Sequence, residues 1–203
     1  MATSDEIAST TAIPKEVIEV LRGQLARGEL SLFTGAGFSR AALATDGQAL
    51  PGVRDLLGIL WPIGFPGEDL DESSTLADVF ECAFQQSPRR VETELKRCLT
   101  VDAAALPKFY EIWYSMPWRR IYTLNIDDLD EAVGRQAKLP TSIRSLSALI
   151  DKVPVSGDDL LSVHLNGKLA EAPNVTFSSS QYAERLPGRD PWRVQPVIAT
   201  AAW

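Results

Sequence analysis

Three short apolar runs of this chain each end in a turn whose residues could bind a ligand or act on it. The turns are Gly35-Ala36-Gly37, Asn125-Ile126-Asp127 and His164-Leu165-Asn166-Gly167. Glycines let main-chain amides approach a phosphate group, a carboxamide can bind a hydroxyl group or water, and carboxylates and imidazoles can transfer protons. These residue types suit a site for a nucleotide with proton transfer beside it.

Each turn also has an ordinary structural explanation. The glycine turn lacks the third glycine of a full dinucleotide fingerprint, and many strand-to-helix turns look like it. Asp127 or Asp128 could simply cap the next helix, an interaction worth about 1 kcal/mol. Capping does not explain Asn125, which we expect to face the cleft. His164, the only histidine of the chain, could be a satisfied core residue, although imidazole is the side chain best suited to proton transfer at neutral pH.

The elements that must position these turns follow from the hydrophobic pattern. Strands are predicted over residues 30–34, 120–124 and 160–165, and helices over 14–28, from 50, over 76–84, over 91–99 and from 128. Residues 61–74 are rich in Gly, Pro and acidic residues, which predicts a surface loop. In an open α/β sheet, ligands bind at the carboxyl ends of the strands. We therefore expect the three strands to be neighbours in one parallel sheet and the three turns to share a cleft.

Composition limits the class of protein. A length of 203 residues and 45% hydrophobic content fit one globular domain. The net charge of -7 disfavours direct nucleic-acid binding by this chain. Two cysteines and one histidine cannot build a zinc module of four thiolates, so no metal site is predicted. No apolar run approaches the length of a membrane span and no signal peptide is recognised, so we expect no membrane association and a cytoplasmic location.

The motifs taken together resemble a known family. The segments are LFTGAGFS at 32–39, Leu50-Pro51 before a helix, YTLNID at 122–127 and HLNG at 164–167. In this order they are similar to the SIR2 (sirtuin-like) superfamily, in its bacterial SIR2-like NADase branch, over residues 29–182. The resemblance implies a Rossmann-like α/β domain over residues 13–203, after a flexible segment 1–12 and with a helical insertion at about 56–117. It also implies NAD as the substrate.

The resemblance assigns roles to two of the turns. Gly35, Ala36 and Gly37 match the family's pyrophosphate loop, and Phe38 and Ser39 fall where the family lines the cofactor pocket. In the second turn, Asn125 matches the essential asparagine, and Asp127 matches the acid that recognises the nicotinamide carboxamide.

The third turn departs from the family pattern. The family has His-Gly, whereas here Asn166 precedes Gly167 and His164 stands two residues earlier. Residues two apart on a strand face the same side, so His164 could reach the same cleft if the strand is regular through Leu165. Either His164 or Asn166 takes the place of the catalytic histidine. We predict that Asn166 and Gly167 contact the cofactor and that His164 accepts a proton from a ribose hydroxyl or from water.

The activity implied by the resemblance is NAD⁺ hydrolysis to nicotinamide and ADP-ribose. The missing cysteine module favours hydrolysis over deacylation, and such domains often act as NAD-depleting effectors of bacterial anti-phage defence. Such an effector is expected to form a homo-oligomer or to work with a sensor domain or partner. Two alternatives remain open, a non-catalytic NAD or ADP-ribose binding module and a zinc-free protein deacylase. The family's last strand is not recognised after Pro196, so a C-terminally incomplete sheet is expected.

Overall fold

A four-stranded parallel sheet forms the centre of the fold. The computed structural model describes residues 13–152, 154 and 157–185, so the expectations for residues 1–12 and for the segment around Pro196 fall outside the described residues. The strands are β1 (Ser31–Thr34), β2 (Arg120–Thr123), β3 (Ile143–Ser147) and β4 (Leu160–His164). Their order is β1-β2-β4-β3 and every pairing is parallel. The α/β fold class is confirmed, and so is the prediction that the strands ending in the three turns are neighbours.

Eight helices surround this sheet in the described part of the chain. They are α1 (Lys15–Ala26), α2 (Ala36–Ser39), α3 (Val53–Gly64), α4 (Leu76–Gln86), α5 (Pro88–Leu99), α6 (Lys108–Ser115), α7 (Leu129–Gln136) and α8 (Ser179–Arg185). Local sequence explains several of the boundaries. Gly28, with φ of 67°, follows the end of α1, Thr75 accepts a hydrogen bond from the Asp78 amide at the start of α4, and Pro88 occupies the first turn of α5.

The helices α3 to α6 form the insertion between β1 and β2. A hydrophobic cluster centred on Leu60, Val79, Phe80 and Leu95 holds α3, α4 and α5 together. The loop predicted over residues 61–74 is wrong at its beginning, because α3 continues through Pro62 to Gly64. Trp61 is buried in this cluster and donates a hydrogen bond from its indole Nε1 to the main-chain oxygen of Glu68 at 3.0 Å. Burial of this side chain favours the longer helix.

One face of the sheet carries both apolar and polar side chains against α7. Residues alternate between faces along a strand, and the register pairs Ile121 with Ser162 and Ser145 with Ser162. Ile121 and Leu160 pack with Leu129 and Val133 of α7, so this face lies against that helix. Ser145, Ser162 and His164 share the same face, which gives a buried polar region beneath α7. No helix among the described residues is long and apolar enough to cross a membrane.

Candidate functional site

A cavity of about 260 Å³ opens at the carboxyl ends of β1, β2 and β4. Its polar lining comes from the predicted turns, and its apolar walls come mainly from the insertion: Gly35, Ala36, Ser39, Pro51, Gly52, Val53, Leu56, Leu76, Leu99, Leu124, Asn125, Ile126, Asp127, Asn166 and Phe177. Larger cavities of about 500 and 840 Å³ lie beside α8 and beside β3. We take the smaller one as the candidate site because ligands of open α/β sheets bind where it lies.

The turn after β1 leaves room beside the chain at Gly35. This residue has φ of -140° and ψ of -173°, an extended conformation that any residue can adopt. A Cβ atom built on Gly35 would meet no protein atom within 4 Å. Neither backbone strain nor packing among the described residues therefore requires a glycine here. The space that its missing side chain leaves belongs to the cavity that Gly35 lines.

Asn125 joins the first two turns across the cavity wall. Its side-chain Nδ2 donates to the main-chain oxygen of Gly35 at 3.1 Å and to the hydroxyl of Ser39 at 2.8 Å. A carbonyl oxygen only accepts, so these contacts fix which end of the amide is the nitrogen. Among the described residues no group donates to Oδ1 of Asn125, and this oxygen is not sealed away from solvent. Oδ1 can therefore accept a hydrogen bond from a hydroxyl group of a ligand.

Asp127 contributes a buried carboxyl group to the same wall. Only 6% of its surface is exposed. Burial raises the pKa of Asp127 to about 6, against the opposing effects of the Ser39 hydroxyl and the His164 ring. Its Oδ1 also accepts a hydrogen bond from the main-chain nitrogen of Leu129 at 3.2 Å. A carboxyl with a pKa near 6 is mostly ionised at pH 7 and can accept a proton there.

The capping alternative for this turn holds in part. Asp128 occupies the N-cap position of α7 but makes no side-chain capping bond. Its Oδ1 accepts instead from the main-chain nitrogen of Val101 at 2.7 Å, which ties the turn to the end of the insertion. Asp127 bonds to Leu129, the first residue of α7, and also lines the cavity. Its contact with α7 and its place in the cavity lining therefore occur together.

His164 lies behind the cavity wall rather than in it. Its Nδ1 lies 2.9 Å from the main-chain oxygen of Asn125 and its Nε2 lies 3.0 Å from Oδ2 of Asp130. Burial alone would lower the pKa of His164, but the charge and the hydrogen bond of Asp130 outweigh it and raise that pKa. The predicted role of His164 as proton acceptor in the cleft does not agree with these contacts, because both ring nitrogens face acceptor groups.

Asp130 is the residue of this region that sequence reasoning missed. Its exposed fraction is 2%, and although burial would raise the pKa of Asp130, the charge and hydrogen bond of His164 lower it. The hydroxyls of Ser162 and Ser145 are close enough to lower it further, yet neither forms a hydrogen bond of standard geometry. Asp130 follows Leu129 and precedes Val133 by three residues, so the helical spacing places it on the buried face of α7. That spacing was the available signal.

The predicted ligand contacts divide into two groups. Six of them line the cavity: Gly35, Ala36, Ser39, Asn125, Asp127 and Asn166. Three do not. Gly37 and Gly167 are absent from the lining, and Phe38 turns into the core, where its ring packs against Tyr110 with the ring centroids 5.5 Å apart. Phe38 therefore does not line this cavity.

Asn166 lines the cavity and is hydrogen-bonded at both ends of its side chain. Its Nδ2 donates to the main-chain oxygen of Leu124 at 3.0 Å, and its Oδ1 accepts from the hydroxyl of Tyr182 at 2.7 Å. The strand β4 ends at His164, so the alternation that would have put His164 and Asn166 on one side does not continue to Asn166. Asn166 lines the cavity and His164 packs against α7.

Within the described ranges no group of three or more His, Cys, Asp or Glu side chains could hold a metal ion. Neither a family model nor a curated protein matches this chain.

Proposed function

We propose that the cavity binds the nicotinamide riboside half of NAD⁺ and that the protein hydrolyses the bond between nicotinamide and ribose. One observation carries the proposal. Asn125, whose side-chain oxygen accepts from no group among the described residues, and the buried Asp127 line one cavity, beside a glycine whose missing side chain leaves open space. The volume of about 260 Å³ is slightly below the roughly 300–1,000 Å³ of typical ligand sites, which suits one half of a dinucleotide.

Three residues provide what the reaction needs. Asn125 accepts a hydrogen bond from a ribose hydroxyl through Oδ1, which fixes the sugar. The bond between C1′ and the nicotinamide nitrogen breaks, its electron pair goes to the ring, and neutral nicotinamide leaves. Water adds to C1′ and gives its proton to the Asp127 carboxylate, so the products are nicotinamide and ADP-ribose. The negative charge of Asp127 also stabilises the positive charge that develops on the ribose. The open space beside Gly35 has room for the part of NAD⁺ that joins this ribose to the pyrophosphate.

The direct experiment is incubation of the purified chain with NAD⁺, followed by chromatographic measurement of nicotinamide and ADP-ribose. We expect equal amounts of both products. Asn125→Ala should abolish the release, whereas Gly58→Ala, a change in open space within α3 and outside the cavity lining, should leave it unchanged. Release of nicotinamide only when an acylated peptide is added would instead support the deacylase alternative.

A second function, binding of NAD or ADP-ribose without turnover, is favoured by Asn166. A carboxamide cannot accept a proton as an imidazole does, and both ends of this one are already hydrogen-bonded. Calorimetric titration with ADP-ribose and with NAD⁺ distinguishes the two functions. Binding of both ligands with intact NAD⁺ recovered at the end supports the binding module and contradicts hydrolysis.

The biological role that we attach to hydrolysis is depletion of cellular NAD during anti-phage defence, controlled by self-association or by a sensor partner. Expression of the chain in a bacterial host should lower the NAD pool, and Asn125→Ala should restore it. Light scattering combined with the activity assay tests the control. Full activity of a stable monomer without any partner contradicts that part of the proposal.

A further inference from the structure

Asn125 is held at several points of its main chain and side chain. Its main-chain nitrogen donates to Oγ1 of Thr123 at 3.0 Å, and its main-chain oxygen accepts from Nδ1 of His164 at 2.9 Å. Its side-chain nitrogen bonds to Gly35 and Ser39. Among the described residues no group donates to Oδ1, so this oxygen is available to a ligand and the other contacts of Asn125 determine where it lies.

The two contacts of His164 together indicate a hydrogen on each nitrogen of the imidazole ring. The main-chain oxygen of Asn125 only accepts hydrogen bonds, so Nδ1 must carry a hydrogen. Asp130 has a lowered pKa, which favours its ionised form, and an ionised carboxylate only accepts, so Nε2 beside it carries a hydrogen as well. A ring with hydrogens on both nitrogens is an imidazolium. The two contacts and the two buried side chains, 3% and 2% exposed, therefore describe an ion pair.

We infer that the His164–Asp130 ion pair is a positioning unit for Asn125, which holds the Asn125 main chain so that Oδ1 meets the ribose. The effect on catalysis rests on the proposed function. The ion pair and its hydrogen bond to Asn125 can be measured without any substrate. It gives the only histidine of the chain a role that needs no contact with the ligand.

The groups around the imidazole favour its charged form. Asp130 faces it from α7 and Asp127 from the turn after β2. Ser145 of β3 and Ser162 of β4 lie beside the Asp130 carboxyl. From α6, Tyr114 lies near both carboxylates, and its burial raises the pKa of its hydroxyl well above the ordinary value, so it carries no charge at neutral pH. Two acids and no competing cation surround the ring in the described part of the chain.

The ion pair can be observed directly because the chain has one histidine. In protein labelled with ¹⁵N, every imidazole signal belongs to His164. At pH 7.5 we expect both ring nitrogens to show the shifts of an imidazolium in the wild type, and Asp130→Asn to give a neutral ring. A neutral ring in the folded wild type overturns the proposal, whether or not the protein hydrolyses NAD⁺.

The effect on Asn125 is measured in the same samples. Asp130→Asn should speed the exchange of the Asn125 side-chain amide hydrogens with solvent, because a neutral ring donates a weaker hydrogen bond to the Asn125 main-chain oxygen than an imidazolium does. Asp128→Asn serves as the matched control, since Asp128 lies two residues away in the chain and bonds to Val101 instead. Equal exchange in wild type and in folded Asp130→Asn overturns the positioning role and leaves the proposed function untouched.

Kinetics provide the readout that a merely structural ion pair would not move. We expect Asp130→Asn and His164→Gln to lower kcat by about 10-fold to 100-fold with KM nearly unchanged, since small misplacement of a positioned group costs that much. Loss of the nearby cation also raises the pKa of Asp127, so the acidic limb of the pH profile should move to higher pH. In the double variant His164→Gln, Asp130→Asn, two uncharged amides can replace the hydrogen bond of the ion pair. This variant separates the effect of the charge from the effect of the hydrogen bond. A wild-type kcat and pH profile in the folded double variant overturns the role of the cation.

Discussion

Asp127 and Asp130 lie three residues apart in two regions with opposite electrostatics. Asp127 belongs to the cavity wall, where burial raises its pKa to about 6. Asp130 belongs to the polar region beneath α7, where His164 lowers its pKa. Both side chains are almost completely buried, so burial does not separate them. The difference shows that the partner decides whether a buried carboxyl is held as a fixed charge or can exchange a proton near neutral pH.

Removal of Asp130 should have the largest effect. Asp130→Ala leaves His164 without its counter-ion in a buried place, and we expect the free energy of unfolding at pH 7 to fall by about 3–5 kcal/mol. Urea unfolding followed by circular dichroism measures this. Asp127→Asn is the matched comparison, and it should cost little or stabilise the fold, because it removes a charge that burial disfavours. Equal losses in the two variants would show that the two regions do not differ.

We expect the main effect of Asp127 on the rate of nicotinamide release, whereas the main effect of Asp130 is on the free energy of unfolding. Asp127→Asn keeps an oxygen for the Leu129 amide but cannot accept a proton. We expect nicotinamide release to fall by about 100-fold or more with ADP-ribose binding retained. Asp128→Asn should stay near the wild-type rate. If Asp127→Asn releases nicotinamide at the wild-type rate, Asp127 is not the proton acceptor.

The open space at Gly35 provides a probe confined to the cavity wall. Gly35→Val places a branched side chain where no protein atom lies within 4 Å of Cβ. Affinity for ADP-ribose, measured by calorimetry, should fall by about 10-fold, roughly 1.4 kcal/mol, while the thermal midpoint changes little. Gly58→Ala in α3 is the control, because it also adds a side chain in open space but lies outside the cavity lining. Equal affinities in wild type and Gly35→Val would remove the cavity from consideration as the ligand site.

The pH dependence of stability should show the smallest effect and the clearest sign. The pKa of His164 is raised in the folded protein, so the stabilisation from its charge is complete below the unfolded value of about 6.5 and is lost as pH rises through the folded value. Each unit of difference between the two values is worth about 1.4 kcal/mol. The free energy of unfolding should decline in wild type as pH rises above 6.5 and through the folded pKa of His164. His164→Gln should remove most of this decline, and an unchanged slope would contradict the ion pair.

Sequence reasoning located the strands that end in the turns because each is a short apolar run stopped by glycine or polar residues. It missed β3, which has the sequence Ile-Arg-Ser-Leu-Ser. Ser145 and Ser147 occupy positions on the inner face that a hydrophobic pattern would fill with apolar residues. They are polar because Asp130 and Glu171 lie opposite them, as Ser147 shows by bonding to Glu171 at 2.8 Å. Serines at the inward positions of a strand cannot be interpreted from the sequence without knowing which side chains lie opposite them.

The residues that line the cavity were predicted better than the His164–Asp130 ion pair behind it. Asn125 and Asp127 were assigned to a cleft from their place at a strand end, and both line the cavity. The place of His164 depended on whether β4 continued to Leu165, and the strand ends one residue earlier. No local sequence signal distinguishes these two cases. Asp127 and Asp128 were considered as helix caps, and no role was predicted for Asp130, which lies in the core.

The pairing of β1 with β2 has a consequence for how the chain folds. Ser31 pairs with Arg120 on the far side of the whole helical insertion, so this contact closes a long loop. Loop closure costs chain entropy before any contact is gained, and folds built on distant pairings reach the native state slowly. The helices of the insertion contact their sequence neighbours and can form early. We therefore expect the cavity, which needs β1, β2 and the insertion together, to be among the last features to assemble during folding.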